Sequence, residues 1–131
     1  MIKIIVLGKP REKYTLEGVS EYSKRLRKYT KVEIITIKKE EDIEKQATGT
    51  LIVLDEHGRQ PDSIEFSKIL LERNLTFCIG PSEGFSDGFL KGKKTISLSR
   101  LTFMHQLALV VLLEQIYRGF TILNNEPYHK S

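Results

Sequence analysis

Residues 75–84 read LTFCIGPSEG. The first six form a short apolar run closed by Gly80 and Pro81, too brief for a helix and apolar at nearly every position, which is the pattern of a strand buried on both faces. Strands covered on both faces belong to mostly parallel sheets, whose crossovers are usually helices. The flanking sequence agrees. IKIIVL (2–7), VEIITI (32–37) and TLIVLD (50–55) lie upstream and KTISLS (94–99) downstream, each short and β-branched. Between them, Leu16, Val19, Tyr22, Leu26 and Tyr29 make a helical stripe over 15–29, with Thr15 as its N-cap. A short acidic helix is expected around 40–47, a third from Asp62 or Ser63 to about Arg73, and a long one over 102–118. The whole chain, 1–131, therefore reads as a single α/β domain with helices on both faces of a mostly parallel sheet.

In open α/β sheets ligands bind beyond the carboxyl ends of the strands. That rule selects Leu54–Asp55, Gly80–Gly84 and Leu98–Phe103, three post-strand stretches expected to converge. The long helix has a further property. LALVVLL (107–113) is apolar all round, and at about 100° per residue Leu107 and Val111 share a direction with Glu114 and Arg118. Burial on two sides predicts a homodimer through this helix, with two-fold symmetry.

Composition sets the outer bounds. At 40% hydrophobic and 29% charged, the chain is that of a folded protein rather than a disordered one. No uninterrupted apolar run reaches the roughly 18 residues of a membrane span. MIKIIVLGKP has no cleavage site behind its apolar stretch. The expectation is a cytoplasmic protein with no membrane partner. Cys78 is the single cysteine and sits in an apolar strand, so it reads as structural. The net charge is a mild +4, but KRLRKYTK (24–31) concentrates Lys24, Arg25, Arg27, Lys28 and Lys31. That run is either a solvated helix face or a surface that tracks phosphates.

Several chemistries are disfavoured. No G-x-x-x-x-G-K-[ST] or G-x-G-x-x-G is present. His57, His105 and His129 are far apart with no second cysteine, so no metal site is expected. Ser82 and Ser86 lack the nucleophile-elbow pattern. Asp55 ends a strand, as either a ligand carboxylate or the start of a turn. Gly80, Ser82 and Gly84 form either a ligand-approach loop or a tight turn. Glu114 and Arg118 are spaced for an i,i+4 ion pair. The closing Tyr128-His129-Lys130 is a chemically loaded tail.

Taken in order, FCIGPSEGF, ISLSRLTFMHQ, LLEQIYRGFTI and the terminal PYHK resemble the ribosomal RNA large subunit methyltransferase H family of the SPOUT superfamily. MIKIIVLGK, EYSKRL and LIVLDEHG extend the resemblance over the whole chain. It implies a C-terminal deep trefoil knot in about residues 75–131, an exception to the rule against knots, and a homodimer packed through the C-terminal helices. It also implies methylation of N3 of a pseudouridine in helix 69 of 23S rRNA, with S-adenosylmethionine as donor and free rRNA or the assembled ribosome as substrate. The implied cofactor residues are Leu54, Gly80, Leu98, Ser99, Arg100, Leu101, Thr102 and Phe103. Pro81 stands where family members commonly have a second glycine, and Leu109 where many carry an arginine. On this reading the tail is a substrate arm lying over the cofactor crevice, from its own protomer or from the partner. His129 would handle the N3 proton, with Arg118 stabilising negative charge. Tyr128, Lys130, His105, Arg25 and Lys28 would contact RNA. The rivals are a noncatalytic RNA-binding module of the same fold and a phosphorelay receiver domain. The receiver needs an acidic pair after the first strand, where this chain has GKPREK.

Overall fold

Alternation along each strand divides the core in two. β1 (Ile2–Leu7) turns Ile2, Ile4 and Val6 to one side and Ile5 and Leu7 to the other, all buried. β4 (Leu75–Ile79) divides Leu75, Phe77 and Ile79 from Cys78 in the same way. With β2 (Val32–Ile37), β3 (Thr50–Arg59) and β5 (Lys94–Ile96) they form one sheet in the order β2-β1-β4-β3-β5, and every pairing is parallel. The computed structural model describes residues 1–130. All five strands lie where the apolar runs predict them, and their carboxyl ends share one edge.

One face carries α1 (Lys13–Leu26), α3 (Ser63–Ile69) and α5 (His105–Leu123), with α5 packed between the other two. The opposite face carries α2 (Ile43–Gln46), preceded by a 3-10 turn at Glu40–Asp42, and α4 (Asp87–Leu90). Cys78 lies on that second face, fully buried, and burial pushes its thiol up to about 12. By length and composition α5 is long and apolar enough to cross a membrane. Its Leu109, Leu112, Leu113 and Ile116 are fully buried against the sheet, α1 and α3, making it the core helix of this domain.

Element boundaries differ from expectation, with α1 ending at Leu26, β5 at Ile96 and α5 starting at His105. Thr15 does not cap α1. It is buried two residues inside the helix with its hydroxyl unpaired, and the N-cap is Glu12. The side chain of Gln106 replaces the cap, its Oε1 accepting from the amides of Arg11 (2.8 Å) and Glu12 (2.9 Å). α3 starts as expected, from Asp62 in a capping box with Glu65, but ends at Ile69. α5 runs past Gly119 to Leu123, because the missing Cβ admits Leu70 of the segment after α3. It stops in a Schellman turn. Asn125 adopts a positive φ of 54°, its amide reaches the Ile122 carbonyl at 3.1 Å, and that of Glu126 reaches Thr121 at 2.8 Å.

β3 continues through Arg59 rather than ending at Asp55. Leu54 and Arg59 both pair with Ile96, so residues 55–58 leave the ladder and return to it. Gly58 makes the return possible, since a Cβ there would stand 2.9 Å from the backbone of Ile96. Backbone cannot move aside as a side chain can. Gly58→Ala is expected to lower unfolding stability by about 1–3 kcal/mol, the range for overpacking a tight site, measured by urea denaturation. Gly88→Ala, where a Cβ meets nothing within 4 Å, should leave it nearly unchanged.

Candidate active site

The three post-strand stretches meet. They line a cleft of about 470 Å³ at the carboxyl edge of β3, β4 and β5, a volume usual for small-molecule sites. Leu54 comes from β3, Gly80 follows β4, and Leu98, Ser99, Leu101, Thr102 and Phe103 follow β5, so seven of the eight expected cofactor residues are in the wall. Arg100 is not. Its neighbours form a tight turn in which Ser99 Oγ accepts the Leu101 amide (2.9 Å), and Arg100 stands exposed at the apex. Ser97 buttresses the turn by donating to the Ser99 carbonyl at 2.8 Å.

Hydrogen bonds tie the walls together. Thr102 donates to Glu56 at 2.7 Å, linking the loop after β5 to the excursion of β3. The Gly84 amide closes a turn onto the Pro81 carbonyl at 2.9 Å, with Gly84 at a φ of 80°. Phe85 then lies on Gly80, where a Cβ would stand 2.8 Å from its ring, so only glycine lets this aromatic close the strand end. Asp55 accepts the His57 amide at 3.3 Å and so starts the turn of the excursion.

The electrostatics of the cleft go beyond what the motifs imply. Asp55, Glu56, Glu83 and Asp87 line it, and no lysine or arginine does. Such a wall repels phosphate and favours a cationic ligand. The acid-bearing runs DEHG (55–58) and PSEGFSD (81–87) carry that signal in the sequence. His105, the first residue of α5, is in the wall, while His57 joins it from the excursion. Among the described residues no three His, Cys, Asp or Glu side chains are grouped to hold a metal ion.

The tail residues form a separate cluster. Arg118 bonds Glu114 at 2.8 Å and His129 Nδ1 at 3.1 Å, and its guanidinium lies 4.8 Å from the Tyr128 ring centre. Tyr128 donates to Glu114 at 2.9 Å and meets Tyr117 edge-on at 4.7 Å. Burial first, then hydrogen bonding and the Glu114 charge, hold the Tyr128 phenol protonated well above its ordinary range. Because a guanidinium can only donate, His129 accepts at Nδ1 and carries its hydrogen on Nε2. Held this way, His129 offers only its Nε2–H to a further partner. It can take a proton only by leaving Arg118.

None of Arg118, Tyr128, His129 or Lys130 lines the cleft. Arg118 is thirteen residues beyond His105, roughly 20 Å along the helix at 1.5 Å per residue. An arm folded over the crevice of its own chain is therefore not what the structure has. Arg25 and Lys28, expected on RNA, are both engaged locally. Arg25 pairs with Glu21 at 2.7 Å and lies over Tyr22 and Tyr117. Lys28 pairs at 3.3 Å with Glu126, which also accepts from Tyr29 at 2.6 Å. They brace the platform on which the tail rests. Lys130 is exposed.

Comparison with known proteins agrees with this geometry. The model of a family described as "Predicted SPOUT methyltransferase" matches residues 1–129. A protein of Enterococcus faecalis named ribosomal RNA large subunit methyltransferase H is 41% identical over 98% of this chain and 99% of its own. Proteins of the same name from Trichlorobacter lovleyi and Geotalea uraniireducens are 40% and 38% identical, each over 98% of both chains.

Bonds from Tyr29 and then Lys28 hold the Glu126 carboxyl below its ordinary 4.5. A lowered folded value means the clasp is complete above that pH and is lost as pH falls through the lowered value. Hydrogen-exchange protection of residues 126–130, taken relative to the intrinsic rate at each pH, should accordingly fall below pH 4.5. Glu114→Ala, which removes the acceptor shared by Arg118 and Tyr128, should lower it at neutral pH.

Proposed function

The chain belongs to the SPOUT methyltransferases, and on that premise we propose that it methylates N3 of a pseudouridine in helix 69 of 23S rRNA, on the assembled ribosome, with S-adenosylmethionine as donor. One observation carries the reading. Three post-strand loops converge on a cleft with four carboxylates and no fixed cation, which suits a ligand bearing a sulfonium and an ammonium and disfavours a phosphorylated one. The curated relatives, named for rRNA methylation, supply the substrate class.

Leu54, Gly80 and the segment Leu98–Phe103 would hold the cofactor through backbone groups and apolar contact. Pro81 contributes a carbonyl there but no amide hydrogen. When bound, S-adenosylmethionine supplies a methyl group that its sulfonium already makes electrophilic. The protein's remaining work is orientation, worth roughly 7–11 kcal/mol in favourable cases, and removal of the N3 proton, since a protonated imide nitrogen has no lone pair to offer. Of the two imidazoles in the cleft wall, His105 at the start of α5 would take that proton. Arg118 and the Nε2–H of His129 are donors suited to the negative charge that develops on the base, and Tyr128 offers a ring for stacking.

These donors must come from a second copy. Their distance from the cleft of their own chain supports a two-fold dimer through α5, in which each tail serves the partner's cleft. Leu101 and Met104 just before α5 and Leu107 in its first turn are 74%, 50% and 40% exposed, and a partner would cover them. The knot expected within residues 75–131 and a cytoplasmic location belong to the same reading.

Truncation after Glu126 keeps the clasp to Tyr29 and the Arg118 guanidinium but removes Tyr128, His129 and Lys130. The shortened protein should bind S-adenosylmethionine with unchanged affinity in calorimetry and lose methyl transfer by about 10²-fold or more. Normal methylation of ribosomes by the truncated form would overturn the role of the tail. Absence of donor binding in the full chain would overturn the reading of the cleft.

A further inference from the structure

The parallel sheet brings more than the cleft to its carboxyl edge. The segment after β1, Gly8–Glu12, and the one after β2, Lys38–Asp42, are neighbours, the Gly8 amide meeting the Ile37 carbonyl at 3.3 Å. Together they carry Lys9, Arg11, Lys38 and Lys39, all exposed. Among the described residues none of the four is in an ion pair; in the 24–31 run Arg25 and Lys28 are paired, while Lys24, Arg27 and Lys31 are not. Of the carboxylates on these two segments, Glu40 is bound by Ser86 and Asp42 pairs with Lys45 at 3.4 Å, leaving Glu12 and Glu41 against the four cations.

The first segment is anchored at the mouth of the cleft. Gln106, buried at the start of α5, accepts both the Arg11 and Glu12 amides. Gly8 packs so close to the cleft residue His105 that a Cβ would stand 3.7 Å from its Nε2. Charge is thus divided across one edge of the sheet. The cleft wall is acidic, and the adjoining strand ends, placed by fixed backbone contacts, are basic.

We infer that Lys9 and Arg11, with Lys38 and Lys39 behind them, form a phosphate-gripping rim beside the cleft that holds the RNA backbone flanking the methylated base. The inference rests on the function proposed above and assigns a phosphate-holding role to the cations at the β1 and β2 ends, which adjoin the cleft. Phosphate contacts fix register and orientation without reading sequence. A rim beside His105 would set which nucleotide reaches the cleft, while the acidic wall keeps the backbone itself out.

The test compares the full-length protein with two double variants, Lys9→Ala with Arg11→Ala, and Lys38→Ala with Lys39→Ala, on assembled ribosomes. For the first, the KM for ribosomes should rise on the order of tenfold. The slope of log(kcat/KM) against log salt should flatten by about one for each phosphate that is no longer neutralised. The second should act in the same direction with a smaller effect. S-adenosylmethionine affinity should be unchanged in both, and Lys9→Arg with Arg11→Lys should behave as the parent. An unchanged KM and salt slope in variants that still bind the donor would overturn the rim. So would a fall in kcat alone, which would assign these side chains to the chemistry. Failure of the unmodified chain to bind the donor or to methylate would instead strike at the reading of the cleft.

Discussion

A parallel sheet has a polarity that an antiparallel one lacks. Every strand here delivers its carboxyl end to the same edge, so the chain must turn five times within a narrow band, with each turn's backbone groups satisfied locally or by a ligand. The register of β3 between β4 and β5 is the point on which this depends. Leu54 pairs with both Ile79 and Ile96, and that double pairing holds the loops after β4 and β5 on either side of the excursion from β3. Were β5 to slip by one residue, its side chains would change faces and the walls of the cleft would part.

α5 converts that local arrangement into an extended one. Its first residue stands in the cleft and its last turns carry the tail cluster, with fully buried leucines between. A rod of this length sets a fixed spacing between an imidazole at one end and a guanidinium-imidazole pair at the other. The tail cluster is built from bonds that are each ordinary, an i,i+4 ion pair, an edge-on aromatic contact and a carboxylate clasp. Its geometry therefore depends on the helix more than on any one of them. Separation of the cleft from its complementary donors makes assembly of two chains a condition of activity in the proposed mechanism.

Much of this is legible in the residues. Strand positions follow from apolar runs that only a two-sided burial explains, and seven residues of the cleft wall follow from strand-end position joined to family motifs. What escapes a linear reading lies in tertiary substitutions for local rules. Thr15 looks like a cap because the sequence does not show that Gln106, more than ninety positions away, caps α1 instead. Gly119 resembles a helix terminator, yet its bare Cα is a seat for Leu70. Arg25 and Lys28 read only as members of a basic run, since no periodicity reveals that Glu21, Glu126 and a tyrosine platform lie against them. The acid content of the cleft is visible as composition in two separate runs. Only the fold puts those runs in one wall.

The lone thiol has a practical corollary. Cys78 lies in the central strand with neighbours on either side, inaccessible and too weakly acidic to form thiolate near neutrality. A maleimide offered to the intact fold thus finds nothing to alkylate. One engineered cysteine at the carboxy terminus would accept a fluorophore or spin label selectively, with the native residue left in place, and the interval between tails in the proposed dimer could be followed by paired-label spectroscopy.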